Sequence, residues 1–259
     1  MKIPVLVLAM YTLFLLPCAG QVTAYQPGEK VDYIIHYGVI NGGMGTLDIK
    51  RDTIAGREVW HATINARTTG VADAVFRVRD AYESFMNPLT ELPVKSIRNI
   101  NEGRYHRYNV VLFDRSTRKD SAILNSDLTG IHIAQLRIHD ILSCFYWFRN
   151  HVPAGIDTLK KGDVITIVTW FTDELYPINM KYVCREEVKT KAGRIDCYKF
   201  NPVTEVGRLF KTQEDVSFWF SADKNFLPVK VRFDIFVGAF LVDMVDYEGL
   251  VYPLEINKK

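Results

Sequence analysis

Between residues 31 and 247 the chain is a succession of short segments rich in β-branched and aromatic residues, each ended by a polar or glycine-bearing turn. Such segments fit a pleated, half-buried surface and read as strands. They fall at 31–37, 44–50, 58–68, 81–86, 94–101, 105–113 and 121–124, and again at 164–171, 180–189, 194–201, 215–220, 227–236 and 240–247. Connections this short make consecutive antiparallel pairing the economical topology. The first turn is expected at Asn41-Gly42-Gly43, whose residues tolerate positive φ.

Two segments break the pattern and read as helix. In 70–78, Val71, Ala74, Val75 and Val78 recur at helical spacing. In 139–149, Ile141, Leu142, Cys144, Phe145, Trp147 and Phe148 are apolar almost all round, so this helix is expected to be buried, with Trp147 largely inside. Asp140 suits its N-terminus and Arg149 its C-terminus, each favoured there by the helix dipole. The fold expected is all-β, β-rich with two short helices. It is a large curved antiparallel sheet or half-open barrel, with the buried apolar helix at 139–149 covering its concave side.

A chain of 259 residues that is 48% hydrophobic and 24% charged is neither disordered nor of low complexity. Its net charge of +2 argues against a nucleic-acid partner or an anionic membrane held by bulk charge. The start is Met1-Lys2, an uncharged apolar run over 3–16, and Pro17-Cys18-Ala19-Gly20. That run is too short to span a bilayer and reads as a secretory signal peptide over 1–20. Cleavage is expected after Gly20, with Ala24 as the second choice. A lipobox at Leu15-Leu16-Pro17-Cys18 is the weaker reading, because proline stands where a small residue is usual. No later apolar segment is long enough to span a membrane, and 21–259 is read as one β domain. Beyond Cys18 the cysteines are Cys144, Cys184 and Cys197, an odd number.

Cys184 and Cys197 are expected on the two arms of a hairpin turning at Lys191-Ala192-Gly193. With Thr190 and Arg194 as the flanking pair, the cysteines are offset by three positions and lie on opposite faces. They are therefore expected not to form a disulfide.

The sequence holds no P-loop, no dinucleotide-binding glycine pattern and no nucleophile elbow. None of the six histidines (His36, His61, His106, His132, His139 and His151) stands in a zinc-binding spacing. The adjacent carboxylates Asp173-Glu174 and Glu186-Glu187 would point to opposite faces of a strand, a poor arrangement for a cooperating acid and base. Tyr105-His106-Arg107-Tyr108 interleaves basic and aromatic groups, as single-strand binders do. In a near-neutral chain it reads instead as a strand with one aromatic face. Cys144 reads as a small core residue. No catalytic, cofactor or metal residue is assigned, and no cofactor is implied.

Several local patterns together resemble the DUF3108 family of exported bacterial proteins. Tyr25-x-x-Gly28-Glu29-x-Val31-x-Tyr33 and Tyr37-Gly38-x-Ile40-x-x-Gly43 look like its first hairpin. Phe76-x-Val78-x-Asp80 with Tyr82-Glu83-Ser84 is similar to its passage from helix to strand. Asp140-Ile141-Leu142-Ser143, with Tyr146 and Arg149, resembles its central helix. The most specific run is Gly207-Arg208-Leu209-Phe210-Lys211, then Trp219-Phe220-Ser221-x-Asp223-x-Asn225, Pro228-Val229 and Gly238. Cys184 departs from the pattern, standing where glycine is expected. The resemblance implies an envelope protein with a β-rich, curved-sheet fold, and it supplies no catalytic residues. The ending also looks, at fold level alone, like lipoprotein-carrier half-barrels that hold acyl chains.

The function expected is a non-enzymatic binding protein of the periplasm or cell envelope, for a lipid or other apolar or amphipathic ligand. The alternative is an interaction module for a protein partner at the outer membrane. Phe145, Trp147 and Phe148 either fill the interior or leave a cavity, and the sequence leaves both open.

Overall fold

The structure, a computed structural model, describes residues 23–203, 215–235 and 237–257. The signal peptide over 1–20 and the run Gly207–Lys211 lie outside the described residues, apart from which the mapping of sequence to elements is close. The strands are β1 (Lys30–Tyr37), β2 (Ile40–Ile54), β3 (Arg57–Thr68), β4 (Arg79–Met86), β5 (Pro93–Glu102), β6 (Tyr105–Asp114), β7 (Ser121–Ser126) and β8 (Gly130–Gln135). After the central helix come β9 (Val164–Phe171), β10 (Glu174–Lys189), β11 (Arg194–Pro202), β12 (Val216–Ser221), β13 (Pro228–Asp234) and β14 (Ala239–Glu248). The helices are α1 (Gly70–Val75) and α2 (Ile141–His151).

All fourteen strands form one antiparallel sheet, in the order β8 to β1 and then β14 to β9. Every pairing joins strands adjacent in sequence except that of β1 with β14, and β8 and β9, also adjacent in sequence, form the two edges. The chain thus meanders outward to one edge, crosses through α2, and meanders back from the other edge. The two edges approach without pairing as strands. Between them His139 takes up a parallel bridge to Thr169, its N–H donating to Val168 O at 3.3 Å and its carbonyl accepting from Trp170 N–H at 2.7 Å. The seam is reinforced by Arg107 and Asp173, 3.7 Å apart, and by the Arg98 guanidinium 5.3 Å from the centre of the Phe171 ring. The result is the half-open barrel with α2 on its concave side.

α2 begins with a capping box. Asp140 Oδ1 accepts from Ser143 N–H at 2.7 Å, and Ser143 Oγ accepts from Asp140 N–H at 2.9 Å. It ends at Val152-Pro153, where a 3-10 helix over Val152–Thr158 takes over. One side packs Cys144 and Phe148 into an aromatic cluster with Phe200, Phe220 and Phe226, ring centres 5.0–6.3 Å apart. Trp147 differs from expectation: it is only half-buried, because its ring stacks on His151 at 4.6 Å near the surface.

Arg149 differs more. It does not serve an exposed helix end but is fully buried, with Nη1 2.5 Å and Nη2 3.0 Å from the two Glu29 oxygens. Its Nη2 also donates to Asn225 O at 3.1 Å, and the guanidinium lies 5.7 Å and 5.5 Å from the Tyr25 and Tyr146 ring centres. Burial works against the charge on Arg149, but Glu29 outweighs it and raises its pKa. Nearby, Glu91 accepts from Tyr25 Oη at 2.6 Å and Asn150 Nδ2 at 2.9 Å, which ties the segment before β1 to the end of α2.

Three local expectations are corrected. The first turn is at Gly38-Val39, with Tyr37 opposite Ile40. Asn41-Gly42-Gly43 lies inside β2, where the register shifts by one residue. A Cβ on Gly43 would come within 2.8 Å of the Arg67 carbonyl oxygen, so the glycine serves close strand approach rather than a turn. α1 stops at Val75, and its apolar face is unburied: Val71 and Val75 are 78% and 81% exposed.

In the β10–β11 hairpin the flanking pair is Lys189 and Arg194, and the register shifts once more between Tyr182 and Cys184. Gly193 does take positive φ, at 139°. Glu186 faces Cys197 and Cys184 faces Lys199, so the cysteines are offset by two positions on one face rather than three on opposite faces. Two positions are about 7 Å along a strand, and both thiols are free. Denatured protein should therefore show free thiols at Cys144, Cys184 and Cys197. Native protein should label quickly only at Cys184, because burial pushes all three thiols up and Cys144 and Cys197 are also inaccessible. Thiol counting with and without denaturant checks this.

Candidate functional site

The interior is divided by α2. Phe148 fills one side, whereas Ile141, Leu142 and Phe145 form the floor of a half-open cavity of about 520 Å³ on the other. Both sequence alternatives are thus realised, one on each side of the same helix. The cavity walls come from β1 to β4 and from β9 and β12 to β14.

The cavity exists because of a row across the sheet. Tyr33 lies opposite Gly45, Gly45 opposite Ala66, and Ala66 opposite Asp80. Directly opposed residues in antiparallel strands share a face. All four line the cavity, and the two central ones have almost no side chain to fill it. Beside them the row Leu47, Ile64 and Tyr82 adds apolar wall, as do Phe233 and Val242 from the opposite half. Among the described residues of the lining Asp80 is the one that carries a charge. This row escaped sequence reading. Its signal is two small residues at inward positions, but only the β2–β3 register shows that they face each other.

A much smaller cleft of about 30 Å³ shares Tyr82, Ile141, Leu142 and Phe171 with the cavity and reaches Arg98 and Asp173. It is large enough for a water or two. Asp173, its side chain 3% exposed, sits at the β9–β10 turn with φ 64°, and Thr172 before it has φ 53°. This is a two-residue hairpin turn of the kind that favours Asn-Gly, made here from Thr-Asp. The other half of that sequence pair, Glu174, is exposed. Glu186 accepts from Trp219 Nε1 at 2.7 Å while Glu187 binds Arg194, so neither carboxylate pair forms an acid and base couple. Tyr105 and Tyr108 are both exposed and, three apart, lie on opposite faces of β6, which corrects the single aromatic face expected there. Among the described residues no group of three or more His, Cys, Asp or Glu is placed to hold a metal ion.

At the head of α2 two buried titratable groups are neighbours. Burial raises Asp140 from its usual 3.8 to about 6, against hydrogen bonds from Ser84 and Ser143. Burial, with Arg115 and Arg137 adding to it, lowers His139 from 6.5 to about 4. Between pH 4 and 6 the folded state holds a proton on Asp140 that the unfolded chain has lost, so this group makes stability fall as pH rises. Over nearly the same window the unfolded chain holds the proton on His139, so that group makes stability rise. The two slopes oppose. Asp140→Asn should unmask stability that increases from pH 4 to 6.5, and His139→Gln should unmask the reverse. Urea midpoints measured across that range check both signs.

The residues that carried the family resemblance serve both the cavity and the structure around it: Tyr33, Asp80, Tyr82, Ile141, Leu142 and Pro228 line the cavity, and others hold the frame. Tyr25, Glu29, Tyr146 and Arg149 form the buried ion-pair cluster, and Ser84 donates to Asp140 at 2.6 Å. Asp223 accepts from Ser221 Oγ and Asn225 N–H in the β12–β13 turn. Asn225 in turn exchanges two hydrogen bonds with Tyr252, which fixes the chain after β14.

A half-open antiparallel barrel with a helix inside and an apolar cavity above it defines the class as barrel-like. The crystal structure of a β-barrel-like protein of domain of unknown function DUF1849 from Brucella abortus is similar in fold. Its TM-score is 0.55 at 8% identity, covering 86% of this chain and 98% of that one. The chain itself belongs to the DUF3108 family, described as protein of unknown function, whose family model matches residues 32–245. No curated protein matches the sequence. Among the described residues no helix is long and apolar enough to cross a membrane.

Proposed function

We propose that this protein is an exported, non-enzymatic binding protein of the periplasm or cell envelope, whose cavity holds the apolar part of an amphipathic molecule. The observation that carries the reading is the cavity itself. Ordinary cores hold few voids larger than a water molecule, whereas ligand sites run to about 300–1,000 Å³. A closed, dry void costs roughly 24 cal/mol per Å³, so one of 520 Å³ would cost about 12 kcal/mol, comparable to the whole stability of a domain. Space of this size persists only if it opens to solvent or receives a ligand. The barrel-like neighbour and the unassigned activity of the family are compatible with a binding role, and the N-terminal apolar run supports export.

The test is titration of delipidated protein with a neutral apolar fluorophore such as N-phenylnaphthylamine. Saturable, one-to-one enhancement at micromolar concentration is expected, with a negative heat-capacity change on binding. Large apolar residues exposed at the β1–β2 and β13–β14 turns, Val39 and Val237, and on α1, Val71 and Val75, favour the second reading of an interaction module docking a protein partner. Absence of any saturable probe binding puts that second reading ahead.

A further inference from the structure

The cavity lining is mostly apolar and carries one charge among the described residues, Asp80, whose surroundings bear on what the cavity accepts. Its Oδ1 accepts from Asn101 N–H at 2.9 Å, and the Glu102 carboxyl is its neighbour. Burial, and after it the Asp80 carboxyl alongside, raise the Glu102 pKa. Neither carboxylate has a lysine or arginine ion-pair partner among the described residues. Arg98, in the adjoining cleft, faces the Phe171 ring and is not part of the cavity wall. Two carboxyl groups thus lie side by side at the end of a largely apolar space, with no lysine or arginine ion-paired to either among the described residues.

Resting on the reading of the cavity as a ligand site, we infer that its ligand is an amphiphile with a cationic, ammonium-type head held at Asp80 and an apolar tail lying over α2. Gly45 and Ala66 form the lane between tail and head, since they are the small residues on the row that ends at Asp80. An ammonium supplies both the missing charge and hydrogen-bond donors to the paired carboxyls. A carboxylate or phosphate head in the same position meets like charge and finds no donor among the lining side chains other than the tyrosine hydroxyls and the Asn65 and Thr46 groups.

The experiment is displacement of N-phenylnaphthylamine by decylamine, decanol and decanoate, all below their micelle-forming concentrations, from wild type and from Asp80→Asn and Glu102→Gln. In wild type decylamine should displace the probe at a concentration at least ten-fold lower than decanoate, with decanol between them. In Asp80→Asn, which keeps an acceptor for Asn101 N–H, the amine should fall to the level of decanol while decanol itself is unchanged. Glu102→Gln should narrow the preference in the same direction. Decanoate displacing the probe as well as decylamine in wild type overturns the inference, as does an amine preference that survives Asp80→Asn. The wild-type comparison decides the matter even if a variant fails to fold. Failure of the probe and all three ligands to bind overturns the cavity reading itself, an outcome distinct from a wrong head group.

Discussion

Arg149→Met should lower the melting temperature by about 6–20 °C, because it leaves Glu29 buried without its partner. The pair is fully enclosed and bidentate, with distances of 2.5 Å and 3.0 Å. Removing one member of such a pair costs about 3–5 kcal/mol, since the survivor keeps its desolvation penalty and loses its compensation. In a chain of this size each kcal/mol shifts melting by about 2–4 °C. The same change also frees the Asn225 carbonyl and the faces of Tyr25 and Tyr146. Glu29→Leu combined with Arg149→Met should recover much of the loss, because no charge is then buried. Calorimetric melting of the single and double variants measures both effects. A single variant that melts within two or three degrees of wild type would show that the cluster is not the clamp described here.

Ala66→Trp should abolish probe binding, weakening it at least 100-fold, while leaving the fold intact. Ala66 points into the cavity between Gly45 and Asp80, so an indole there takes up the space a ligand tail would use. The backbone at Ala66 is ordinary strand, which a tryptophan adopts readily. Because the cavity has room, the overpacking that penalises enlargement in a filled core does not arise. Melting should stay within a few degrees of wild type, and the far-ultraviolet spectrum should be unchanged. Fluorescence titration beside the melting curve separates loss of the site from loss of the fold.

The architecture was legible where inside and outside alternate in the usual sense. Segments such as 31–37 and 58–68 and the helix at 139–149 carry their pattern locally, and they appear as β1, β3 and α2. β8 was missed because its pattern is inverted: Ile131 and Ile133 are 73% and 60% exposed, while the small Ala134 is buried. The first turn was misplaced because Gly42 and Gly43 serve a bulge and a close strand contact, which composition alone does not distinguish from a turn. The hairpin holding Cys184 and Cys197 slipped by a residue because one flanking pair was assumed and Val183 interrupts the ladder.

The site was less legible than the fold. Glu29 and Arg149 stand 120 residues apart, and nothing near Arg149 in sequence distinguishes a buried ion pair from a helix-end cation. The cavity likewise depends on Gly45, Ala66 and Asp80 meeting across three strands. Each is unremarkable alone, and only the pairing turns them into a wall with a charged end.

The proposed function requires one thing above all, that the space above α2 be occupied by an apolar chain in the protein's working state. Native mass spectrometry of protein isolated without detergent from the cells that make it tests that requirement most directly. The expected spectrum contains a population carrying one small amphiphile per chain, released on collisional activation and missing from Ala66→Trp. Wild-type protein found only at its bare chain mass would contradict it.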